Sequence, residues 1–259
     1  MIEFVKLSKE NRAMLIRLFI LFFFSSTLLH AIDGREVMKI VYEEANSNKN
    51  KTTNVKLSII DDENNERIRF FKLITQISKD FNKSLIKFYE PANIKGTALL
   101  THKNTVKNET SQWIYFPSFK SLKALSTEEK NQSFMGSDFA YSDIAGRQLD
   151  QDKHNLVKED KEYYYVRSIP LDSKDPYSQI DIIINKKTKT PVKISFFNAD
   201  KQLIKVLTND KIIELNGSYE AMEITMTNAL KQGKSILVKN NIDVKTPVSD
   251  NEVSIKALK

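Results

Sequence analysis

The side chains best suited to chemistry sit in one stretch, Gln112 to Arg147, QWIYFPSFKSLKALSTEEKNQSFMGSDFAYSDIAGR. Asp138 and Asp143, five residues apart, have the spacing of a carboxylate pair that divides acid and base roles. A simpler task competes for them. Ser137 or Asp138 at the start of a helical turn would accept a hydrogen bond from a free backbone N–H, which explains at least one of these residues without any substrate. Outside the stretch the raw material is sparse. His102 and His154 lie far apart and read as surface histidines rather than as a base or a ligand. No run of carboxylates converges as a metal site requires, and no Gly-rich phosphate loop, H-E-x-x-H or G-x-S-x-G occurs. The chain has no cysteine, which excludes disulfides, a thiol nucleophile, a Cys zinc site and a lipid anchor on an N-terminal Cys. The expectation is a protein without catalytic residues, metal or cofactor.

The same stretch is more telling for its apolar residues. Trp113, Ile114, Tyr115 and Phe116 form a run that Pro117 stops, the pattern of a short buried strand. Phe134, Met135, Phe139, Tyr141 and Ile144 follow a polar loop, with Gly136 free to bend where a side chain would resist and Ser137 placed to cap one helical turn. Such a cluster reads three ways: as ordinary core, as an apolar ligand pocket, or as a catalytic site around the two aspartates. As a pocket, its lining and lid candidates are Phe70, Phe88, Trp113, Tyr115, Phe116, Phe134, Met135, Phe139, Tyr141 and Ile144.

The elements that must position these residues follow from periodicity. Asp33 and Glu36 have capping-box spacing, and Val37, Ile40, Val41 and Ala45 then share one helical face, predicting an amphipathic helix of about 13 to 15 residues. From Thr53 the period changes to two. Val55 to Ile60, Arg67 to Ser78, Ser84 to Tyr89, Thr97 to His102 and Trp113 to Phe116 read as strands in an antiparallel meander. Lys161 to Ser168, Gln179 to Asn185, Pro191 to Phe197, Gln202 to Asn209, Lys211 to Leu215, Ser218 to Met226 and Lys234 to Val244 continue it, with Asn216-Gly217 as a hairpin turn and Ser249 with Glu252 as a late capped turn. The Arg67 strand is apolar on both faces, so one helix cannot cover the sheet alone. The predicted fold is α+β: a strongly curved antiparallel sheet of about eleven strands, an open or half β-barrel, with one or two helices across its concave face.

Three blocks, in order, carry a family resemblance: Phe88 to Thr101 (FxxPxxxKGTALLT), Gln112 to Lys120 (QWIYFPSFK) and Ser133 to Ile144 (SFMGSDFAYSDI). Together they resemble the bacterial outer-membrane lipoprotein-sorting protein family, the LolA-like periplasmic carriers, from Asp33 to the C-terminus. The resemblance implies a LolA/LolB-like half-barrel that holds acyl chains of lipoproteins or lipids between sheet and helices. It implies an inner-membrane exporter and an outer-membrane acceptor as partners, and a monomeric carrier. The alternative is a lipid-binding or sensing module that stays with an exporter and does not shuttle. The aromatic blocks depart from the classical carrier, so the cargo need not be a lipoprotein.

Charge and targeting fit an exported protein. With Lys+Arg 40 against Asp+Glu 33 the net charge is +7, spread among acidic residues rather than gathered on a stripe, which argues against nucleic acid and is compatible with weak attraction to anionic head groups. Lys6, Lys9, Arg12 and Arg17 precede an apolar run from Leu18 to Leu29, and Leu29-His30-Ala31 ends on a small residue. This is the order of a cleaved signal over residues 1–31, too short in its apolar part to span a bilayer, leaving a single domain over 32–259. Met14 is an alternative start. Three N-x-Ser sequons with an acidic residue two before the Asn, at Asn82, Asn131 and Asn216, are candidate glycosylation sites expected in surface loops. N-terminal sequencing of protein from its own periplasm should begin at Ile32; an intact chain fractionating with membranes would overturn both the cleavage and the soluble carrier.

Overall fold

A computed structural model describes residues 32–259, so the targeting segment lies outside the described residues. Thirteen strands form one antiparallel sheet: β1 Asn50–Ile60, β2 Glu66–Ile77, β3 Phe81–Glu90, β4 Ala98–Asn104, β5 Glu109–Phe116, β6 Ser121–Ala124, β7 Asp152–Glu159, β8 Tyr163–Pro170, β9 Gln179–Asn185, β10 Pro191–Phe197, β11 Leu203–Leu215, β12 Ser218–Asn228 and β13 Lys234–Asp243. Their order is β6-β5-β4-β3-β2-β1-β13-β12-β11-β10-β9-β8-β7. Every pairing joins sequence neighbours except β1 with β13, which pair in the middle of the sheet. The two edges are therefore β6 and β7, and the chain between them, residues 125–151, must travel from one edge to the other. This strap carries two short helices, α2 Thr127–Lys130 and α3 Tyr141–Ala145, which follow α1 Gly34–Ala45 in chain order.

Helix α1 starts as the sequence requires, with Asp33 Oδ1 accepting from the Glu36 N–H at 2.8 Å and Val37 and Val41 buried. Its ends measure the curvature of the sheet. Gly34 lies so close to β7 that a Cβ there would fall 2.5 Å from the Leu156 nitrogen. At the other end, Tyr42 and Asn46 accept hydrogen bonds from the Asn82 amide on β3 at 3.1 and 3.0 Å. A twelve-residue helix is about 18 Å long, whereas nine strand steps from β3 to β7 would measure ~43 Å if flat. The sheet is curled around α1, and it stays open because β6 and β7 do not pair.

The predicted eleven strands become thirteen for three local reasons. The weakly apolar β6 (SLKA, exposed throughout) and the largely polar β7 carry too little alternation to stand out as strands. The expected break after Asn209 is a bulge within β11: Lys211 takes φ 51°, and pairing with β12 resumes at Ile212. At the β11–β12 turn Asn216 and Gly217 both have positive φ, as a type I′ hairpin requires. Of the sequon asparagines, Asn82 departs from the expected surface loop, being buried in β3 with its amide engaged by α1, whereas Asn131 lies half-buried in the turn after α2 and Asn216 is exposed in the β11–β12 turn.

The outer face of the first half-sheet is covered by the C-terminal segment, which explains why β2 is apolar on both sides. Val248, Val253 and Leu258 pack on Leu85, Ala98 and Leu100, with Ile74, Trp113 and Tyr115 around them. Polar pins fix the segment: Gln76 Nε2 donates to the Val248 carbonyl at 2.8 Å, and His102 Nε2 meets the Val253 carbonyl at 2.8 Å. The predicted turn forms, with Glu252 accepting from both the Ser249 N–H and hydroxyl. Val253 is fully buried, so Val253→Asp should cost about 3 kcal/mol and lower Tm by roughly 6–12 °C. Ile255→Asp, at a position 43% exposed, should melt like the parent; equal melting of both variants would mean the segment is not docked.

Candidate functional site

Alternation on β1 to β5 sorts the inner face from the outer. Inward lie Val55, Leu57 and Ile59, then Phe71, Ile86, Phe88, Leu99 and Ile114, all buried. The strap inserts Phe134 into this surface, where it is fully buried, its ring 6.4 Å from Phe71, 5.9 Å from Phe88 and 5.5 Å from Tyr141. Met135 at φ 53° and Gly136 at φ 78° turn the chain there, and the Tyr141 hydroxyl reaches the Met135 sulfur at 4.0 Å.

Polar contacts hold the strap along its course, Lys130 Nζ to the Thr110 carbonyl and Arg35 to Asp150 among them. The Asp138 N–H donates to Ser235 Oγ at 2.9 Å, and that hydroxyl donates back to Asp138 Oδ2 at 2.7 Å, on β13 at mid-sheet. The buried Gln112 amide donates to the Tyr141 carbonyl at 3.0 Å. Asp143 caps α3 by accepting from the Ala140 N–H at 2.7 Å, and it also accepts from Tyr177 Oη at 2.7 Å and pairs with Lys205 at 3.1 Å. Burial, together with the Asp143 charge and hydrogen bond, pushes the Tyr177 hydroxyl well above its ordinary pKa, so it stays a donor. Arg147 forks onto Asp152 and reaches Asp175 at 2.9 Å; burial opposes its charge, but the two carboxylates outweigh that and hold it ionised.

On the far side of the strap the inner face is not filled. A cavity of about 240 Å³ lies between α1 (Met38, Val41, Tyr42), the strap from Ser142 to Leu149, and Ile180, Ile182, Ile194, Phe196 and Leu207 of β9 to β11. Its wall is largely apolar, and polar side chains on it, among them Asp143, Arg147, Asp152, His154 and Tyr177, are engaged by neighbours; His154 bonds Ser168 Oγ and the Leu149 carbonyl. A polar groove of about 500 Å³ adjoins it, lined by Glu109, Thr110, Gln112, Lys130, Asp172 and Asp175 among others, and it shares Ser142, Gly146 and Arg147 with the cavity.

The sequence candidates divide accordingly. Phe88, Phe134, Met135 and Tyr141 come together with Phe71, and Phe139 is buried in the same strap. Phe116 shares the parity of Ile114 but sits half-buried at the end of β5, and Ile144 is half-buried on α3. Phe70, Trp113 and Tyr115 are corrected: Phe70 stacks on Tyr89 on the outer face, and Trp113 and Tyr115 lie beneath the C-terminal segment. None of the ten lines the open cavity. Ser137 does not cap a helix either; its hydroxyl donates to the Phe134 carbonyl, and Asp143 supplies the cap. The cavity residues of α1 and β9 to β11 were visible only as period-two and helical apolar positions, with nothing to say that their space stays empty.

Comparison with known proteins yields a fold and a family. A search of curated proteins finds no match. Among solved structures, an outer membrane lipoprotein-sorting protein domain from Vibrio parahaemolyticus has a TM-score of 0.82 at 23% identity, over 87% of this chain and 97% of its own. A DUF1329 family protein from Desulfovibrio piger has 0.80 at 19% identity, over 87% and 99%, and a LolA superfamily protein from Nitrosomonas europaea has 0.70 at 20%, over 88% and 100%. At these identities the likeness establishes the fold, a LolA-like curved antiparallel sheet. A family model described as "Uncharacterized protein" matches residues 80–259, most of the chain, and the protein belongs to that family.

Proposed function

We propose that the protein is a periplasmic carrier that shelters an acyl chain of a lipoprotein or lipid in the cavity between α1, the strap and β9 to β11, and carries it toward the outer membrane. The observation that carries this reading is an unfilled apolar cavity closed by a segment that spans both sheet edges. Burying a chain gains about 0.8 kcal/mol per CH₂, so a single long chain supplies the affinity for passage through water. Release requires a closure that can yield. The strap meets that need, because side-chain contacts and the buried Phe134 and Phe139 hold its middle, which contributes no strand to the thirteen-strand ladder. With the strap lifted, Phe134 leaves Phe71 and Phe88, and the apolar surface it covered joins the cavity. Asp138 and Asp143 serve as anchors in this scheme, and no catalysis is assigned to them. An inner-membrane donor and an outer-membrane acceptor would bind the loaded and the emptying forms of a monomer.

Titration with a fluorescent long-chain acyl probe, alongside thermal unfolding, tests the reading. The parent should bind saturably, and Leu207→Trp, which fills the cavity, should bind at least tenfold more weakly without melting lower; unchanged binding would remove the cavity from consideration. Phe134→Ala should cost about 3–5 kcal/mol in the empty protein, yet the probe should raise its Tm more than the parent's, because the plug no longer competes. An equal rise in both would make Phe134 ordinary core.

A further inference from the structure

The inner face of β1 to β5 is layered across the strands. One row of cross-strand partners is apolar apart from its first member: Thr53, Leu73, Ile86, Leu99 and Ile114. The next row is polar throughout: Lys51, Thr75, Ser84, Thr101 and Gln112. Beyond it run Ile77, Asn82, Lys103 and Thr110. Within these rows Thr101, Gln112 and Asn82 are buried, while Lys51, Thr75, Ser84 and Lys103 face inward and are half-buried, so the layer is polar where the neighbouring row packs.

The inward cations of the sheet differ in their partners. Lys51 and Lys239 share the buried Glu220, and Lys205 pairs with Asp143. Arg67 and Arg69 point at Gly136, at the plug end of the strap. Lys103 has no carboxylate within 4 Å among the described residues, and its Nζ lies 3.7 Å from where a Cβ of Gly146 would be. Gly146 lines both the apolar cavity and the polar groove, and its φ of 70° suits glycine. The ammonium therefore lies beneath Gly146, which separates it from both chambers with a backbone that carries no side chain, and Lys103 itself lines neither wall. Its cross-strand partner Thr110 lines the groove, as does Gln112, whose buried Oε1 has no hydrogen-bond partner among the described residues.

We propose that the cargo is a single-chain amphiphile with an anionic head, carboxylate or phosphate, and that Lys103 holds this head where the cavity meets the groove. The proposal rests on the carrier reading and adds the chemical class of the cargo. With the strap closed the cavity is about 240 Å³, below the roughly 300–1,000 Å³ of pockets that enclose drug-sized ligands, a size that favours one chain over a pair. The groove beside it carries Glu109, Asp172 and Asp175 as well as Lys130 and Arg147, so the anionic head belongs at the Gly146 end above Lys103 and not along the groove. Burial pulls the Lys103 amine down to about 8 in the empty protein, the response of a cation without a counter-charge, which an arriving anion supplies.

The test displaces the fluorescent acyl probe from the full chain at pH 7 with dodecanoate, dodecyl phosphate, dodecanol, acetate and inorganic phosphate. The parent should bind the two anionic amphiphiles at least tenfold more tightly than dodecanol, and neither acetate nor phosphate should displace the probe. Lys103→Met should lose that preference while keeping its affinity for dodecanol, Lys103→Arg should retain it, and Lys103→Met should melt no lower than the parent because a desolvated charge is gone. Equal binding of dodecanoate and dodecanol by the parent overturns the head-group assignment and leaves the carrier standing. Persistence of the preference in Lys103→Met overturns the role of Lys103. Displacement by acetate or phosphate alone would make this a free-anion site, and failure of every amphiphile to bind would sink the carrier reading itself.

Discussion

The pairing of β1 with β13 is the constraint on which the rest of the molecule depends. An antiparallel meander normally leaves its first and last strands at the edges, but here they meet in the middle, with an eight-residue register. The edges then fall at β6 and β7, which are neighbours in sequence, and the chain between them has to cross the concave side. A strap over the cavity is a consequence of topology before it is a matter of side chains. Helix α1 completes the enclosure because it precedes β1, the central strand, and can lie within the curl while touching β7, β12 and, through Asn82, β3.

The anchors of the strap differ from the contacts of the sheet in a way that separates stability from motion. Ladder hydrogen bonds in the sheet are many and mutually supporting. The strap is held by discrete polar groups, Asp138 on Ser235, Asp143 on Tyr177 and Lys205, and Arg147 on Asp152 and Asp175. Each partly buried ion pair recovers in water much of the solvation it lost on burial, so breaking it by opening costs far less than removing one partner by mutation. The apolar plug at Phe134, fully buried against Phe71 and Phe88, is of another kind, a contact that in the proposed carrier an apolar cargo would replace.

Much of this architecture was legible in the sequence, and the limits of that legibility are physical. Asp33 with Glu36 marked the start of α1, Asn216-Gly217 marked a hairpin, and the switch to a period of two marked the meander. Alternation states that Trp113 and Ile114 point to opposite faces; it cannot state which face is concave. That depends on the C-terminal segment, more than 130 residues further on, choosing the Trp113 side. The error at Phe70, Trp113 and Tyr115 has this single cause. β7 was missed because its solvent-facing half is polar and its inward residues, Asp152, His154 and Leu156, include two that hydrogen bond rather than pack. Lys103 carried no signal at all, since an isolated lysine in a Lys-rich chain becomes distinctive only when its neighbours are known.

An unfilled interior requires its own explanation in a chain that fills the Phe134 side so closely. Natural cores pack at crystal density, and voids larger than a water molecule are few. A pocket that opens to solvent leaves its apolar wall in contact with water instead of packed, which costs roughly 25 cal/mol for each Å² left uncovered. Replacing Ile182, Ile194 or Leu207 with a larger side chain is a simple route to recovering part of that cost, and this chain has not taken it. The polar layer beside the cavity points the same way: Lys103, Thr75 and Ser84 face inward where aliphatic residues would pack against α1. A space kept apolar on one side and polar on the other, with the unpaired Lys103 beneath the glycine that both sides share, suits a molecule that is itself apolar at one end and polar at the other.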